Sequence, residues 1–296
     1  MEGKLAPRVG VVIVLMASVA FATNHLGARV AFEHGASVAS GVAVRATATT
    51  LILLALMRLQ GVALVLPREL RGTVLFAGVL IAAQSYCLYS AVASIPPALA
   101  LLVFQTSPML FVLLTWALGK EKPTWRALPP ILLALAGLAL ALDLDPQGFG
   151  ARWSEIGTGA GWALASGVSM AGAYYLNANA LKPMDGRLRT CIMTAVTAAI
   201  VLVAGGAADA LLWPRDATGY SGLAVLAVAY CLAMVALFYA IPRVPSTTIT
   251  ALNFEPIALL FLAWLVLGHT VTGLQLVGAF ITVGAIVWLS LQKGGN

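Results

Sequence analysis

The sequence predicts an all-α polytopic membrane protein whose ten transmembrane helices form two five-helix repeats of opposite topology. Three observations lead there. Hydrophobic residues make up 61% of the 296 and charged residues only 9%, with a mean hydropathy of +0.96, whereas a soluble domain carries roughly a quarter charged residues. Apolar windows of about 20 residues, the length that crosses a bilayer core, recur between charges, Gly and Pro. The second half also repeats the first at a fixed offset.

The windows fall near residues 9–31, 38–58, 72–93, 97–118 and 127–142, then 156–180, 190–212, 220–241, 245–267 and 272–291. Between the two sets lies a polar stretch, Asp143 to Glu155. This divides the chain into a first repeat at 1–145, a periplasmic linker at 146–155 and a second repeat at 156–296. Lys4 and Arg8 followed by an apolar run to Ala22 imitate a secretory signal. The run continues to Phe32, long enough to span, so the segment is expected to be the first helix of the repeat.

Basic residues orient the spans. With both termini cytoplasmic, thirteen of the 17 Lys and Arg fall in inside loops, three (Arg29, Arg152, Arg215) fall outside, and Arg45 lies within a span. That imbalance puts both termini on the cytoplasmic side, and a bacterial inner membrane is the expected location. The net charge of +6 does not read as a nucleic-acid footprint, because the basic residues stand singly or in short groups between apolar runs. Cys87, Cys191 and Cys231 all lie in apolar stretches without CxxC spacing and read as packing residues, so no metal site is expected. No phosphate-binding GxxxxGK[ST] loop is present, and no cofactor is expected. Transport would then draw on a gradient. An intramembrane enzyme would need a metal cluster or paired catalytic carboxylates, which the sequence lacks.

An offset of 148 residues pairs Pro97 with Pro245, Pro108 with Pro256, Trp116 with Trp264, Thr124 with Thr272 and Leu128 with Leu276. Gln105 pairs with Asn253, so each copy carries a carboxamide three residues before a mid-span proline. An odd number of spans per copy turns the second upside down, the arrangement of secondary transporters with a midplane solute site.

Polar groups in hydrocarbon are costly, so mid-span polar residues mark candidate solute contacts. Depth counting selects Asn24, His25, Gln84, Gln105, Asn253 and Glu255. Phe21, Asn24, His25 and Ala28 share one helical face. His25 is read either as a carboxylate ligand or proton carrier, or as a histidine satisfied by a neighbouring helix. Glu255, the one acid placed mid-span, is the candidate for coupling to protons or for binding an amine; the alternative is a structural pairing with Arg45 or a helix N-terminus. Pro108 and Pro256 are expected to act as hinges that bend the fourth and ninth helices and free the carbonyls of Phe104 and Leu252. Among aromatics inside the spans, Tyr89, Trp162 and Tyr230 are candidates to line an apolar wall.

The stretch Asn253-Phe254-Glu255-Pro256-Ile257-Ala258-Leu259-Leu260, followed by Trp264-Leu265-Val266-Leu267-Gly268 and the Gly-rich helix from Gln275 to Gly284, resembles the EamA-type carriers of the drug/metabolite transporter superfamily. The resemblance covers essentially the whole chain, and the first half repeats it at Thr106-Ser107-Pro108 and Leu118-Gly119-Lys120-Glu121. His269 stands where the family has the Glu of Leu-Gly-Glu, and Lys120 displaces Glu121 by one place. Arg45 matches a family arginine. The resemblance implies ten helices in a basket around a central cavity, and it is strongest toward aromatic amino acid exporters. It thus implies a monomeric carrier in the lipid bilayer, exporting or exchanging amino-acid-like small molecules by alternating access. Other metabolite classes, namely purines, polyamines or drugs, are the alternative, and a channel the less favoured one.

Overall fold

A computed structural model describes residues 7–62, 64–118, 128–141, 149–240, 243, 252, 254–268 and 272–293. Its regular elements are all helical: α1 (Pro7–Glu33), α2 (Val38–Leu59), α3 (Arg71–Ser94), α4 (Pro97–Phe104), α5 (Ser107–Ala117), α6 (Leu128–Ala141), α7 (Phe149–Ala178), α8 (Gly186–Ala207), α9 (Ala217–Ala240), α10 (Glu255–Leu267) and α11 (Gly273–Lys293). Among the described residues six stretches are long and apolar enough to cross a membrane: Arg8–Glu33, Val38–Leu59, Arg68–Ser94, Pro97–Ala117, Gly186–Ala207 and Ala217–Ala240. Apolar helices over Pro129–Ala141, Glu255–Val266 and Gly273–Trp288 are shorter.

Element boundaries follow the repeat. Both bounds of α8 lie 148 residues beyond those of α2. The caps match as well: the Ser37 side chain accepts from the Ser40 N–H and the Asp185 side chain from the Arg187 N–H. Each cap satisfies an amide that the first turn leaves without a helical partner. Likewise α5 starts at Ser107 and α10 at Glu255.

Two expectations are corrected here. Pro108 and Pro256 lie in the first turns of α5 and α10 rather than in the middle of continuous helices. A proline there costs no hydrogen bond, because first-turn amides have no intrahelical acceptor. The fourth span is therefore two helices, with Gln105 capping α4 and Thr106 preceding α5. The polar segment placed as a linker at 146–155 is also largely helical, since α7 begins at Phe149.

Packing exchanges equivalent helices of the two halves. Helix α1 packs on α9 and α7 on α3; α2 on α9 and α8 on α3; α10 on α1 and α5 on α7. Helix α2 also meets its own equivalent α8, α4 meets α10, and α6 meets α11. The seams run antiparallel and depend on small residues. A Cβ on Gly27 of α1 would stand 2.8 Å from the Gly222 carbonyl oxygen of α9, while nearly two turns back Phe21 meets Tyr230 at 5.4 Å. On α6 and α11, a Cβ on Gly137 would stand 2.7 Å from the Thr282 amide and one on Gly278 would run into the Ala141 amide. The Thr282 hydroxyl reaches the Ala134 carbonyl at 3.5 Å, between residues that are themselves 148 apart. Only backbones without side chains between them approach so closely.

Candidate functional site

The mid-span polar residues converge. Helix α1, held close to α9 at Gly27, carries Asn24 and His25, both buried. His25 Nε2 lies 3.2 Å from Oε1 of Glu255 at the start of α10. The Nδ1 atom of His25 is buried without a partner. The Asn24 carboxamide is 2.6 Å from the hydroxyl of Tyr89, which is fully buried on α3. Turned about, the amide would donate to that hydroxyl and to the Leu226 carbonyl. The Tyr89 ring also meets His25 at 5.7 Å and Phe32 at 6.0 Å.

On the other side of Tyr89 stands Arg45 of α2, 6% exposed. Its guanidinium lies over two tyrosine faces, 5.0 Å from the centre of Tyr89 and 4.3 Å from that of Tyr230. Such faces carry the negative end of the ring quadrupole and attract a cation. Arg45 donates to the Ser85 hydroxyl at 2.5 Å. Ser85 donates in turn to the Gln84 side chain at 3.3 Å, and the Gln84 amide reaches the Ser166 hydroxyl of α7 at 3.4 Å. Ser166 closes back on the Gln84 carbonyl at 3.0 Å. One connected set thus joins α1, α2 and α3 to α7, α9 and α10.

Sequence reasoning placed Asn24, His25, Gln84, Tyr89, Tyr230 and Glu255 in this set, and the structure brings them together. Of the structural alternatives for Glu255, the structure shows the helix N-terminus, since it opens α10, and a pairing with His25 in place of Arg45. Trp162 pairs instead with Tyr86, ring centres 6.5 Å apart, and both rings are about two-fifths exposed. Gln105 sits at the α4–α5 break, half-buried, where its backbone amide bonds the Leu101 carbonyl. Asn253, His269, Lys120 and Glu121 lie outside the described residues. Arg45, Ser85 and Ser166 were missed as site members. Only Arg45 carried a signal, being the one basic residue inside a span.

The helix ends beyond this cluster are tied. On the side assigned outward, His34 meets Asp216 at 2.7 Å, and Arg29 donates to the Val92 and Ala93 carbonyls at the end of α3. The Gly219 amide, with His34 second, holds the Asp216 carboxyl below its ordinary pKa. On the opposite side Arg187 bonds Asp185 and reaches the Gln60 side chain at 2.7 Å. Asp185 is held below its ordinary pKa chiefly by that arginine side chain. A cavity of about 610 Å³ opens there, lined by Gln60, Arg187, Arg189, Tyr239 and Arg243 among others. None of its lining residues belongs to the Arg45 cluster.

The fold is repeated but the chemistry is not. At the 148-residue offset, Arg45 faces Met193, His25 faces Ala173, Asn24 faces Gly172, Gln84 faces Leu232, Ser85 faces Ala233 and Tyr89 faces Leu237. The same helix positions therefore pack in the second copy without polar groups. The cluster is not something the architecture needs.

Comparison with known proteins agrees with this architecture. A solved crystal structure of a protein, 18% identical, superposes with a TM-score of 0.66 over 97% of both chains. At that identity the likeness speaks for the fold. No curated protein matches the sequence. The model of the EamA-like transporter family matches twice, at residues 8–142 and 157–291. The protein is thus a multi-pass membrane protein built from two copies of one domain, and it belongs to the EamA-like transporter family, a family of small-molecule transporters and not of enzymes.

Proposed function

We propose that this protein is a secondary transporter that exports or exchanges amino acids, aromatic and other apolar ones foremost, across a bacterial inner membrane with both termini cytoplasmic. The observation that carries the reading is the buried polar cluster, whose first-repeat members Asn24, His25, Arg45, Gln84, Ser85 and Tyr89 have nonpolar equivalents in the second repeat. In a bilayer such groups persist where they face a solute path or one another. Ten spans in two inverted halves, 1–145 and 156–296, fit the antiparallel contact of α6 with its own equivalent α11. A two-fold axis that relates antiparallel neighbours lies across the helices, in the membrane plane. In this reading Asn24, His25, Gln84, Gln105 and Asn253 meet the polar ends of the solute. Tyr89, Trp162 and Tyr230 supply apolar faces, and Glu255 opposite His25 couples transport to protons.

Counterflow of labelled phenylalanine, tryptophan and methionine in proteoliposomes tests the proposal. We expect saturable exchange of all three with weak affinity, since a wall of apolar faces selects loosely. If no imposed gradient moves any of them, the amino-acid reading fails.

A further inference from the structure

Arg45 is a cation without an anion. No carboxylate among the described residues lies within ion-pair distance of it, and Glu255, the acid expected mid-span, is taken by His25. Its donor inventory is also unfinished. One terminal nitrogen donates to Ser85, both tyrosine faces are occupied by the guanidinium plane, and Nε is buried with no hydrogen-bond partner. A guanidinium offers its N–H groups in a planar fork that fits the two oxygens of a carboxylate. A lone buried charge is retained at a cost, and its equivalent Met193 shows that the position folds without one.

We propose that Arg45 is the site that receives the carboxylate of the transported solute. The two tyrosines hold the guanidinium plane fixed, and the unpartnered Nε edge is the vacant half of the fork. The inference rests on the transport reading above and deepens it, because it moves the carboxylate-binding role away from His25 and Gln84. Tyr89 stands between Arg45 and His25, with Glu255 behind His25. The cluster therefore carries a positive group on α2 and a negative one on α10, and the carboxylate contact is assigned to Arg45 alone. Solutes that lack a carboxylate should lose the contact at Arg45 whatever their side chain.

The test uses the purified full-length protein in nanodiscs and four probes of one shape: phenylalanine, phenylalaninamide, 3-phenylpropionate and phenylethylamine. Calorimetric titration should show the two acids binding at least about tenfold tighter than the two probes without a carboxylate. Arg45→Gln should erase that discrimination and Arg45→Lys should keep part of it, a lysine offering charge without the fork. If either variant fails to fold, the ranking of the probes by the parent protein still decides. Equal binding of phenylalanine and its amide by the parent overturns the proposal, as does the absence of binding by every probe. The two readings fail separately. Arg45-dependent binding of 3-phenylpropionate without movement of labelled phenylalanine would sink the amino-acid reading and leave the carboxylate site standing. Equal transport of phenylalanine and phenylalaninamide would do the reverse.

Discussion

Gly27 sets the distance between α1, which carries Asn24 and His25, and α9, which carries Tyr230. A Cβ added there would meet the Gly222 carbonyl oxygen and the Leu226 amide nitrogen at 2.8 Å, against the 3.4 Å at which ordinary contact begins. Both neighbours are backbone, so no side chain can swing aside, and the helices must part by about 0.6 Å for Gly27→Ala to fit. Overpacking of this kind costs about 1–3 kcal/mol, while alanine returns up to about 1 kcal/mol of helix propensity. The net loss is therefore about 1 kcal/mol, a fall in Tm of about 2–4 °C for a chain of this size. Gly161→Ala in α7 is the matched control, because nothing lies within 4 Å of the added atom and only the propensity gain remains. Thermal unfolding of both variants in detergent, followed by tryptophan fluorescence, checks the argument. A Gly27→Ala protein as stable as Gly161→Ala would refute the claim that backbone proximity holds this seam.

Glu255→Gln keeps a hydrogen-bonding group opposite His25 and removes the charge, so downhill exchange should stay within about threefold of the parent while its pH dependence is lost. Exchange measured between pH 6 and 8 decides it; an unchanged profile would assign coupling elsewhere. Cysteines introduced at Gln147 and Gly294 should react with an impermeant reagent from opposite faces of the membrane, because the basic loops place them so. Labelling from one face would contradict the inverted halves. Asp185 has a depressed pKa in the folded protein, so its contribution is complete above the ordinary carboxylate value of about 3.9 and is lost as pH falls through the depressed one. The Tm gap between the parent and Asp185→Asn should accordingly be flat from about pH 8 to 5 and narrow progressively as pH falls below about 4; a gap that does not narrow at all on acidification would exclude the Arg187 contact as its source.

Much of this was legible in the sequence because a bilayer simplifies the code. Charges and turn residues bound the spans, so the limits of α2, α3 and α8 follow from the hydropathy pattern within a few residues. The break at Gln105 and Thr106 was harder to see. A proline signals a disturbed helix, but whether the chain bends or restarts depends on how neighbouring helices satisfy the backbone. The extra turns of α7 were hidden for a related reason, since a helix that leaves the hydrocarbon no longer has to be apolar. At the site, depth counting found the large polar side chains. It passed over Ser85 and Ser166, whose hydroxyls satisfy themselves on their own helix as readily as across a seam. The His25–Glu255 contact joins the first helix of one repeat to the fourth span of the other, and only the tertiary arrangement reveals it.

The placement of the cluster bears on how a solute could drive a change of shape. Three contacts of the cluster run between the halves: Gln84 to Ser166, Arg45 to Tyr230 and His25 to Glu255. The α1–α9 seam brings backbones together at Gly27 and Gly222 and packs Phe21 on Tyr230, while Tyr86 packs on Trp162 between α3 and α7. A shift of one half against the other would therefore disturb both that packing and the cluster, where each link has a preferred distance. A ligand moves such an equilibrium only by binding one arrangement better than the other. A carboxylate seated on Arg45 would bind beside Tyr230 of the other half, whose spacing from Arg45 changes when the halves move, and so could favour one arrangement over the other. Met193, Ala173 and Leu232, the second-copy equivalents of Arg45, His25 and Gln84, could supply no such difference.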